Sequence, residues 1–569
     1  MKIKRILAII LSVIILFCAL PFGVFTVSAV TSDYYTYTVS NGMATITDCK
    51  QSISGTVAIP STLGGYPVTN IGDYAFMDCV SLTGLIIPEG ITTIGMFAFR
   101  NCSLLNNITL PESIVYIGNR AFENCYLIQK VNIPTIVAWC NINFVEYSNP
   151  IKFSGDLYID GIKTTNISIP KGVTKINNGA FFGYSSLTNV TIPDTVTSIG
   201  EEAFYGCSSL TNIFIPNNIT FIGDFAFSHC DSLESISIGN NIARIGHSAF
   251  KNTAYYNDKN NWDSDVLYIS NYLIEAIPTL ENCLIRDNTI VIADYAFEDC
   301  YLMENISIPD GVIHIGIRAF SGCSALKNIK LPKNLKNISS YTFEYCTTLT
   351  NIIIPENVTS IEKGAFSNCV SLININLPTN ISHIDCYIFE NTAYYNDNNN
   401  WDSGVLYIGE YLIEASLELK KCVIKDTTKL IASYAFWRCE SLTNITIPES
   451  VIFICDGAFK FCSSLKIIKM PNSIKQIGEE IFYGCNLYIY CNVGNVSDLF
   501  SSTGYTHKCF GDFDNDRKLS SIDTVMMRKS LFGLFDENYD KKVADINQDN
   551  DFNILDLVRL KKKIAGIIA

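Results

Sequence analysis

The sequence contains 569 residues, of which 48% are hydrophobic and only 17% are charged, and its net charge is −14. A chain of this length and composition can bury a large core and form several domains. The acidic balance, together with the lack of any basic stripe, excludes nucleic acid as an expected partner, because phosphate binding requires clustered Lys and Arg.

The N-terminus has the pattern of a signal peptide. Three basic side chains lie within residues 1–5, an apolar run covers residues 6–25, and small residues occupy positions 27–29. The run is long enough to span a bilayer, so an uncleaved anchor is the alternative. Pro21 and Gly23 favour cleavage. We therefore expect residues 1–29 to be removed, which would leave a secreted protein without a membrane segment.

An Ala-Phe or related dipeptide recurs along most of the chain, with a spacing of 23 residues wherever no insertion intervenes. A fixed period of this length is typical of a solenoid, in which each unit buries its apolar face against its neighbours. The repeat phenylalanines are Phe76, Phe99, Phe122, Phe181, Phe204, Phe227, Phe250, Phe297, Phe320, Phe343, Phe366, Phe389, Phe436, Phe459 and Phe482.

Residues 184–206 illustrate one repeat. Residues 189–192 alternate between polar and apolar, which is the period of a β-strand, and Pro193 ends the strand because it cannot donate a ladder hydrogen bond. Gly200 is expected to turn the chain. Stacked repeats would form a parallel sheet. The side chains expected to face the interior are Leu187, Val190, Ile192, Val196, Ile199, Ala203 and Phe204.

The alternate strand positions are expected to face outward and to form an uncharged surface rich in Asn, Ser and Thr. Such a surface suits hydrogen bonding to a protein or a glycan, although Asn-x-Thr/Ser also simply suits exposed parallel strands. The predicted outward residues are Asn189, Thr191, Asn212, Phe214, Ser235, Ser237, Asn305, Ser307, Asn328, Lys330, Asn351, Ile353, Asn374, Asn376, Asn444 and Thr446.

Twelve cysteines lie three residues after a repeat phenylalanine. Cysteines in an exported protein first suggest disulfides, and the expected spacing of neighbouring repeats would allow them. However, Tyr184, Thr253 and Thr392 occupy equivalent positions, so we predict a ladder of buried, reduced thiols. Zinc is disfavoured, since ligands strung along a solenoid cannot converge on one ion. The twelve are Cys79, Cys102, Cys125, Cys207, Cys230, Cys300, Cys323, Cys346, Cys369, Cys439, Cys462 and Cys485.

These repeats resemble the BspA-like, Treponema-type leucine-rich repeat of bacterial surface proteins. The opening segments TYTVSNGMATITDC and IPSTLGGYPVTNIGDYAF resemble the N-terminal cap of that family. The segments WCNINFVEYSNPIKFSGDLYIDG, NTAYYNDKNNWDSDVLYI and NTAYYNDNNNWDSGVLYI resemble its irregular units. The resemblance implies a β-rich leucine-rich-repeat solenoid with a parallel sheet, used for adhesion or protein recognition.

The two similar inserts admit two interpretations. Their oxygen-bearing side chains would suit a cation, but Asn and Asp are also ordinary turn residues. We favour turns, and we interpret Trp262 and Trp401 as packing anchors. The side chains concerned in the first insert are Asp258, Asn260, Asn261 and Asp263.

Catalysis finds little support in the sequence. No ligand-spaced histidine motif, phosphate loop or nucleophile motif is present, and His247 is expected to lie in a solvated turn. We therefore predict a protein that is not an enzyme. The five histidines occur singly, at His229, His247, His314, His383 and His507.

The chain ends in two acidic loops, GDFDNDRKLSSID and ADINQDNDFNILD. In each, oxygen donors occupy positions 1, 3, 5, 7 and 12 of a twelve-residue calcium loop, which is the arrangement that a hard cation requires. An amphipathic segment follows each loop. The predicted calcium ligands are Asp512, Asp514, Asp516, the Lys518 carbonyl and Asp523 in the first loop, and Asp545, Asn547, Asp549, the Asp551 carbonyl and Asp556 in the second.

Residues 510–569 resemble a type I dockerin, the module that binds cohesins of a scaffoldin in cellulosomes. No helix precedes either loop, and position 12 is Asp rather than Glu, as in that family. The resemblance implies two calcium ions and a cohesin partner. Position 6 of the first loop is Arg517, where Gly is favoured for its positive φ, so the first site should be weaker. The implied cohesin contacts are Ser521, Ile522, Arg528, Lys529, Ile554, Leu555, Lys561 and Lys562.

The sequence thus predicts a secreted, non-catalytic solenoid attached to a cellulosome-type complex by calcium-dependent dockerin–cohesin binding. The alternatives are a glycan-binding module that targets plant cell wall polysaccharide and, further off, an enzyme with a site near Trp139, Trp262 or Trp401. The expected order is a signal peptide (1–29), a cap (30–72), a solenoid (73–500) with irregular units near 126–170, 252–290 and 391–430, a linker (501–509) and a small α-helical dockerin-like domain (510–569).

Overall fold

The computed structural model describes residues 30–32, 34–152, 155–492 and 507–510, together with residues 559, 560 and 562. The described residues belong to two compact units that divide between Asn261 and Trp262. Each unit consists of stacked coils whose strands pair in parallel, so the predicted solenoid is confirmed. None of the helices in the described stretches is long and apolar enough to cross a bilayer. The predicted signal peptide and nearly all of the predicted dockerin-like domain lie outside the described residues.

A coil contains two short strands on opposite walls, which we call the front strand and the back strand. In residues 184–206 the front strand is Asn189–Thr191 and the back strand is Ser198–Ile199. All seven side chains predicted to face the interior of this coil are buried. In the regular coils a strand pairs with its equivalent 23 residues away, as Asn166–Ser168 does with Asn189–Thr191.

The front strands of the first unit form parallel sheets, with one antiparallel edge strand, Ile162–Lys163. They are Gly55–Ala58, Leu82–Ile86, Asn107–Thr109, Lys130–Ile133, Asp156–Ile159, Asn166–Ser168, Asn189–Thr191, Asn212–Ile215 and Ser235–Ile238. The back strands are Met43–Cys49, Tyr66–Ile71, Thr93–Ile94, Tyr116–Ile117, Asn143–Phe144, Lys175–Ile176, Ser198–Ile199, Phe221–Ile222 and Arg244–Ile245.

The first unit begins with antiparallel strands, Val30–Ser32 and Tyr35–Ser40, which extend the back sheet, while Thr62–Leu63 pairs with Tyr66–Ile71. Its helices are Ile136–Asn141 and Ala254–Asn257, and a 3₁₀ turn covers Lys259–Asn261. Thr135 caps the first helix, because its hydroxyl accepts the Ala138 N–H at 3.0 Å. The helix places the Trp139 indole in the core, where its N–H donates to the Ala180 carbonyl at 2.7 Å.

The second unit repeats this architecture. Its front strands are Asn305–Ser307, Asn328–Lys330, Asn351–Ile353, Asn374–Asn376, Lys421–Val423, Asn444–Thr446, Ile467–Lys469, Tyr488–Asn492 and His507–Phe510. Its back strands are Val291–Ile292, His314–Ile315, Asn337–Ile338, Ser360–Ile361, His383–Ile384, Leu430–Ile431, Phe453–Ile454 and Gln476–Ile477. Antiparallel strands join the back sheets at Trp262–Asp263, Val266–Ile269 and Tyr272–Ala276, and again at Trp401–Asp402, Val405–Ile408 and Tyr411–Ala415.

In the second unit a helix, Ala393–Asn396, and a 3₁₀ turn, Asn398–Asn400, precede the second set of antiparallel strands. Thr392 lies at the ladder position and caps this helix, since its hydroxyl accepts the Tyr395 N–H at 3.0 Å. Thr392 stands where most coils have a cysteine, and this difference has a local cause, because a hydroxyl caps a helix better than a thiol.

The repeat phenylalanines form a continuous stack within each run of regular coils. The rings of Phe204 and Phe227 lie 5.2 Å apart with an angle of 7° between their planes, and those of Phe297 and Phe320 lie 5.0 Å apart. These separations are close to the strand spacing of a sheet, so each ring packs against the ring of the next coil.

Gly200 does not have the role that the sequence suggested. Its φ is not positive, and the left-handed residue of this turn is Glu202, with a φ of 53°. Gly200 is instead required by close packing, because a Cβ there would lie 2.6 Å from the backbone nitrogen of Asn178 in the preceding coil. The interpretation of Gly200 as the turning residue was therefore wrong.

Candidate interaction surfaces

The outward residues of the front strands form one candidate surface in each unit, which we call the front face. All sixteen residues that the sequence placed outward are exposed, including Asn189 and Thr191 in the first unit and Asn444 and Thr446 in the second. The predicted strand phase is confirmed.

Amide side chains hydrogen-bond from coil to coil along the front face. Asn328 Nδ2 donates to Asn305 Oδ1 at 2.9 Å, and Asn132 Nδ2 donates to Asn107 Oδ1 at 2.8 Å. The amides of the Asn305–Asn328 pair keep further donors and acceptors for a partner. Large apolar side chains are interspersed, and Phe214, Ile353 and Val423 are 62%, 74% and 78% exposed.

The coil cysteines hydrogen-bond within the fold. Eighteen cysteines of the described residues, including the twelve of the ladder, are free thiols, as the predicted reduced ladder requires. The thiol of Cys230 donates to the carbonyl of Phe204 in the preceding coil at 3.1 Å, and Cys369 does the same to Phe343 at 3.0 Å. Burial raises the pKa of Cys300 to about 12. In the described residues no cluster of His, Cys, Asp or Glu could hold a metal ion.

The acidic residues of the inserts build turns, as we expected. Asp258 Oδ1 accepts the Asn260 N–H at 3.0 Å, and the Asn261 amide donates to the Tyr255 carbonyl at 2.9 Å. Asp263 is occupied by an ion pair with Arg286 at 3.0 Å. These side chains already have partners within the fold, so they do not form an open cation site.

Trp401 is a packing anchor, as predicted from the sequence. Its indole N–H donates to the Tyr395 carbonyl at 2.8 Å, and its ring meets the Tyr395 ring edge-on at 5.4 Å. His247, which we expected in solvent, is instead half-buried with its ring 5.0 Å from that of Phe225.

Cavities with acidic residues in their linings occur in both units. One of about 460 Å³ in the first unit contains Glu146, Glu201 and Glu202, and Lys152 lines the same cavity. Burial raises the pKa of Glu202 and lowers that of Lys152. The Lys152 ammonium lies 3.5 Å from the centre of the Tyr147 ring. The carboxylates of this cavity therefore already have a cation of the same chain, the Lys152 ammonium, beside them.

A second cavity of about 220 Å³ lies in the second unit beside the strand Tyr411–Ala415. Glu390, Glu414 and Trp437 line it. These residues were not predicted from the sequence. Their separation by about one coil each was a usable signal, because residues one period apart in a solenoid lie next to each other.

Nearly all of the predicted calcium and cohesin residues lie outside the described part of the chain. Lys562 is described, as a helical and exposed residue. The ligand and contact assignments therefore remain predictions.

Comparison with known proteins identifies two regions. The family model for the BspA type leucine rich repeat region matches residues 69–157, 152–280, 267–396 and 393–499. The model for the dockerin type I domain matches residues 510–565.

Individual relatives were also found. A multidomain esterase from Ruminococcus flavefaciens is 44% identical over 59 residues, which amount to 10% of this chain and 8% of the esterase. A leucine-rich repeat protein from Bacteroides ovatus is 24% identical, with 84% of this chain and 99% of that chain covered and a TM-score of 0.32. A leucine rich cell surface protein from Faecalibacterium prausnitzii is 26% identical, with 74% of this chain and 94% of that chain covered and a TM-score of 0.28.

Proposed function

This chain belongs to the BspA-type leucine-rich repeat family and carries a C-terminal type I dockerin domain, and on that premise we propose that it is a secreted, non-catalytic interaction protein held on a cellulosome-type complex by a cohesin. The observation that carries the proposal is the presence of both modules in one chain. A dockerin domain implies binding to a cohesin, and the repeats supply a second surface for another partner.

Calcium is the proposed cofactor of the dockerin domain, with one ion in each loop. The donors at the ten proposed ligand positions are carboxylates, one amide and two backbone carbonyls, all of them oxygen atoms. This donor set fits calcium, which prefers six to eight oxygen ligands. Bound calcium would supply much of the folding free energy of so small a domain. The ligands that we propose begin at Asp512 in the first loop and at Asp545 in the second.

The proposed cohesin contacts form two equivalent groups, one for each loop and the segment that follows it. The first contains Ser521, Ile522, Arg528 and Lys529, and the second contains Ile554, Leu555, Lys561 and Lys562. The pairs at loop positions 10 and 11 differ between the two groups, Ser521-Ile522 in the first and Ile554-Leu555 in the second.

The front face is the proposed recognition surface of the repeats. Its uncharged amides and hydroxyls are exposed in repeating rows, and exposed apolar side chains such as Ile353 lie among them. This combination of hydrogen-bonding groups and apolar anchors is common in protein interfaces. We propose that a protein partner binds here while residues 510–569 hold the chain on the complex.

The test compares the full chain with a chain that ends at residue 509 for binding to immobilised type I cohesins in the presence of calcium. We expect at least one cohesin to retain the full chain and none to retain the shortened one. Equal retention of both chains, or retention of neither by any cohesin of the panel, would contradict the proposal.

Glycan binding by the front face is a second candidate, favoured by the exposure of Phe214 among amide and hydroxyl groups. Aromatic faces and hydrogen-bonding side chains are typical of small-ligand sites. Sedimentation of the full chain with insoluble cellulose or xylan tests this candidate. Glycan binding would be supported if the polymer removes the chain from the supernatant and Phe214→Ala abolishes this removal. It would be excluded if neither polymer removes the chain.

A further inference from the structure

The 220 Å³ cavity of the second unit has aromatic walls. Tyr387, Tyr395, Tyr434 and Trp437 line it. At roughly 30 Å³ per water molecule, the space holds about seven waters, or a short aliphatic chain with a polar end. Aromatic faces attract cations as well as apolar groups.

Every charged side chain that lines the cavity is acidic. Glu414 accepts a hydrogen bond from the Tyr395 hydroxyl at 2.8 Å, and burial, reinforced by nearby Glu390, raises its pKa. Among the described residues, the Glu390 carboxylate has no ion-pair partner. The carboxylates thus repel each other with no cation between them, in contrast to the cavity that contains Lys152.

Three basic side chains lie near the aromatic walls without lining the cavity. Arg438 lies 5.5 Å from the Trp437 ring centre. Lys363 and Lys460 lie 5.9 Å from the ring centres of Tyr387 and Tyr434. Lys460 is engaged in an ion pair with Glu480 at 2.6 Å. None of the three fills the space between Glu390 and Glu414.

Ser433 supplies an independent indication of a ligand. It is one of the residues that line the cavity, and it is only 2% exposed. Within the described residues its hydroxyl oxygen has no hydrogen-bond partner. Buried polar groups are nearly always satisfied, and an unsatisfied one requires an explanation. A bound donor would satisfy this hydroxyl.

These groups define the chemistry of the missing occupant. Glu390, Glu414 and Ser433 offer three acceptors, which matches the three N–H donors of a primary ammonium group. The aromatic walls suit the aliphatic stem that carries it. A quaternary ammonium has no donors for Ser433, and a neutral sugar would leave the repulsion between the carboxylates in place.

We propose that this cavity binds a primary alkylammonium group, namely the lysine side chain of a partner polypeptide. The net charge of −14 favours a basic partner through long-range attraction. The assignment of the ammonium group to a polypeptide rests on the proposed interaction function. The assignment of an ammonium site depends only on the residues of the cavity.

The other insert provides a matched control. When the two NTAYYND segments are aligned, Glu275 corresponds to Glu414, but Lys251 replaces Glu390 and Glu298 replaces Trp437. Glu275→Gln therefore removes the carboxylate that corresponds to Glu414, in an insert that has no counterpart of the Glu390 carboxylate or the Trp437 ring.

The test is ligand-observed saturation-transfer NMR on the full chain, with Nα-acetyl-lysine amide as the probe. We expect millimolar binding and none of the neutral isostere Nα-acetyl-norleucine amide. Glu390→Gln and Ser433→Ala should each weaken binding at least fivefold, and Glu275→Gln should not change it. Circular dichroism establishes that each variant is folded.

Three results would overturn the proposal: equal binding of the norleucine amide, binding of methyl glucoside in place of the lysine probe, or unchanged binding in Glu390→Gln. The ammonium group could belong to a free small amine or to a lysine in a polypeptide, and a comparison of butylamine with a Gly-Lys-Gly amide distinguishes these two sources. A preference for butylamine would exclude a polypeptide. Because the assay contains no cohesin, a failure of dockerin binding does not affect it.

Discussion

The thiol of a coil cysteine connects one coil to the next. Cys207 donates to the Phe181 carbonyl at 3.3 Å and Cys230 to the Phe204 carbonyl at 3.1 Å. That carbonyl also accepts the N–H of the cysteine in its own coil, as Phe204 does from Cys207 at 3.2 Å. The cysteine therefore serves as a small apolar group that also donates a hydrogen bond, and it needs no oxidised partner.

The stability of the coils should fall at alkaline pH. Burial raises the pKa of Cys455 to about 12 from an ordinary value of 9.0, so the unfolded chain releases this proton at a lower pH than the folded chain. The stabilising contribution is complete below pH 9 and is lost as pH rises from 9 towards 12, by about 1.4 kcal/mol per pH unit. Urea unfolding at pH 8 and pH 10 measures this effect.

Cys455→Ala provides the control for that prediction. The alanine variant should be less stable at pH 8, and its deficit relative to the wild type should shrink by about 1.4 kcal/mol at pH 10. A deficit that is the same at both pH values would show that the thiol titrates alike in the folded and unfolded chains.

The two sides of a front strand should respond differently to truncation. Ile445 is buried and Thr446 is exposed. Ile445→Ala should lower the free energy of unfolding by about 2–4 kcal/mol, because it leaves a cavity in the coil interior. Thr446→Ala should change it by less than about 0.5 kcal/mol. Urea titration of both variants is the measurement, and equal losses would contradict the observed strand phase.

Consecutive coils are joined at their turns by side chains that bond to the backbone one period away. Asp224 Oδ1 accepts the His247 N–H at 2.9 Å, and Asn178 Oδ1 accepts the Glu201 N–H at 3.0 Å. The glycine before each of these turns lies against the turn of the preceding coil. In these coils the close approach of consecutive turns thus requires a glycine, which has no side chain.

A methyl group at such a glycine should therefore destabilise the stack. In Gly223→Ala the new Cβ would lie 2.6 Å from the carbonyl carbon of Gly200 and would overlap the Glu201 nitrogen. We expect a loss of about 1–3 kcal/mol, as for overpacking. Gly172 has ordinary φ and open space around its Cβ position, so Gly172→Ala should be neutral or stabilise by up to about 1 kcal/mol. Thermal unfolding distinguishes the two, and similar shifts would contradict the packing explanation.

The sequence predicted the coil well because a solenoid is held together by contacts between neighbouring repeats. The 23-residue period, the strand phase around Val190 and the ladder of Phe204 equivalents all follow from one repeat and its copies. The role of Gly200 was missed, since its constraint comes from the backbone of another coil. The cavity around Ser433 was missed for the same reason, because its lining residues come from several coils.

The whole chain combines two modules with different sources of stability. The coils of each unit have an apolar core, from which we expect stability without any metal. The dockerin domain is small, and we expect it to depend on calcium for folding. Recognition by the repeats and attachment by the tail should therefore be separable by chelation.

The two proposed calcium loops should contribute unequally to attachment. Arg517 occupies position 6 of the first loop, where a positive φ penalises a side chain, whereas the second loop has Asn550. Asp545→Ala should therefore weaken cohesin binding more than Asp512→Ala, and Arg517→Gly should tighten calcium binding at the first loop. Calorimetric titration of the full chain with calcium measures the calcium affinity of the three variants, and titration with a type I cohesin in calcium measures their cohesin affinity. A greater loss of cohesin binding in Asp512→Ala would reverse the assignment of the stronger site.

The central claim, attachment through calcium-dependent cohesin binding, is tested most directly by one measurement. The full chain is passed over an immobilised type I cohesin that retains it, first in calcium, then in excess EGTA, and then in calcium again. We predict saturable binding in calcium, complete loss in EGTA and full recovery when calcium returns. Cohesin binding that persists unchanged in EGTA would contradict the account.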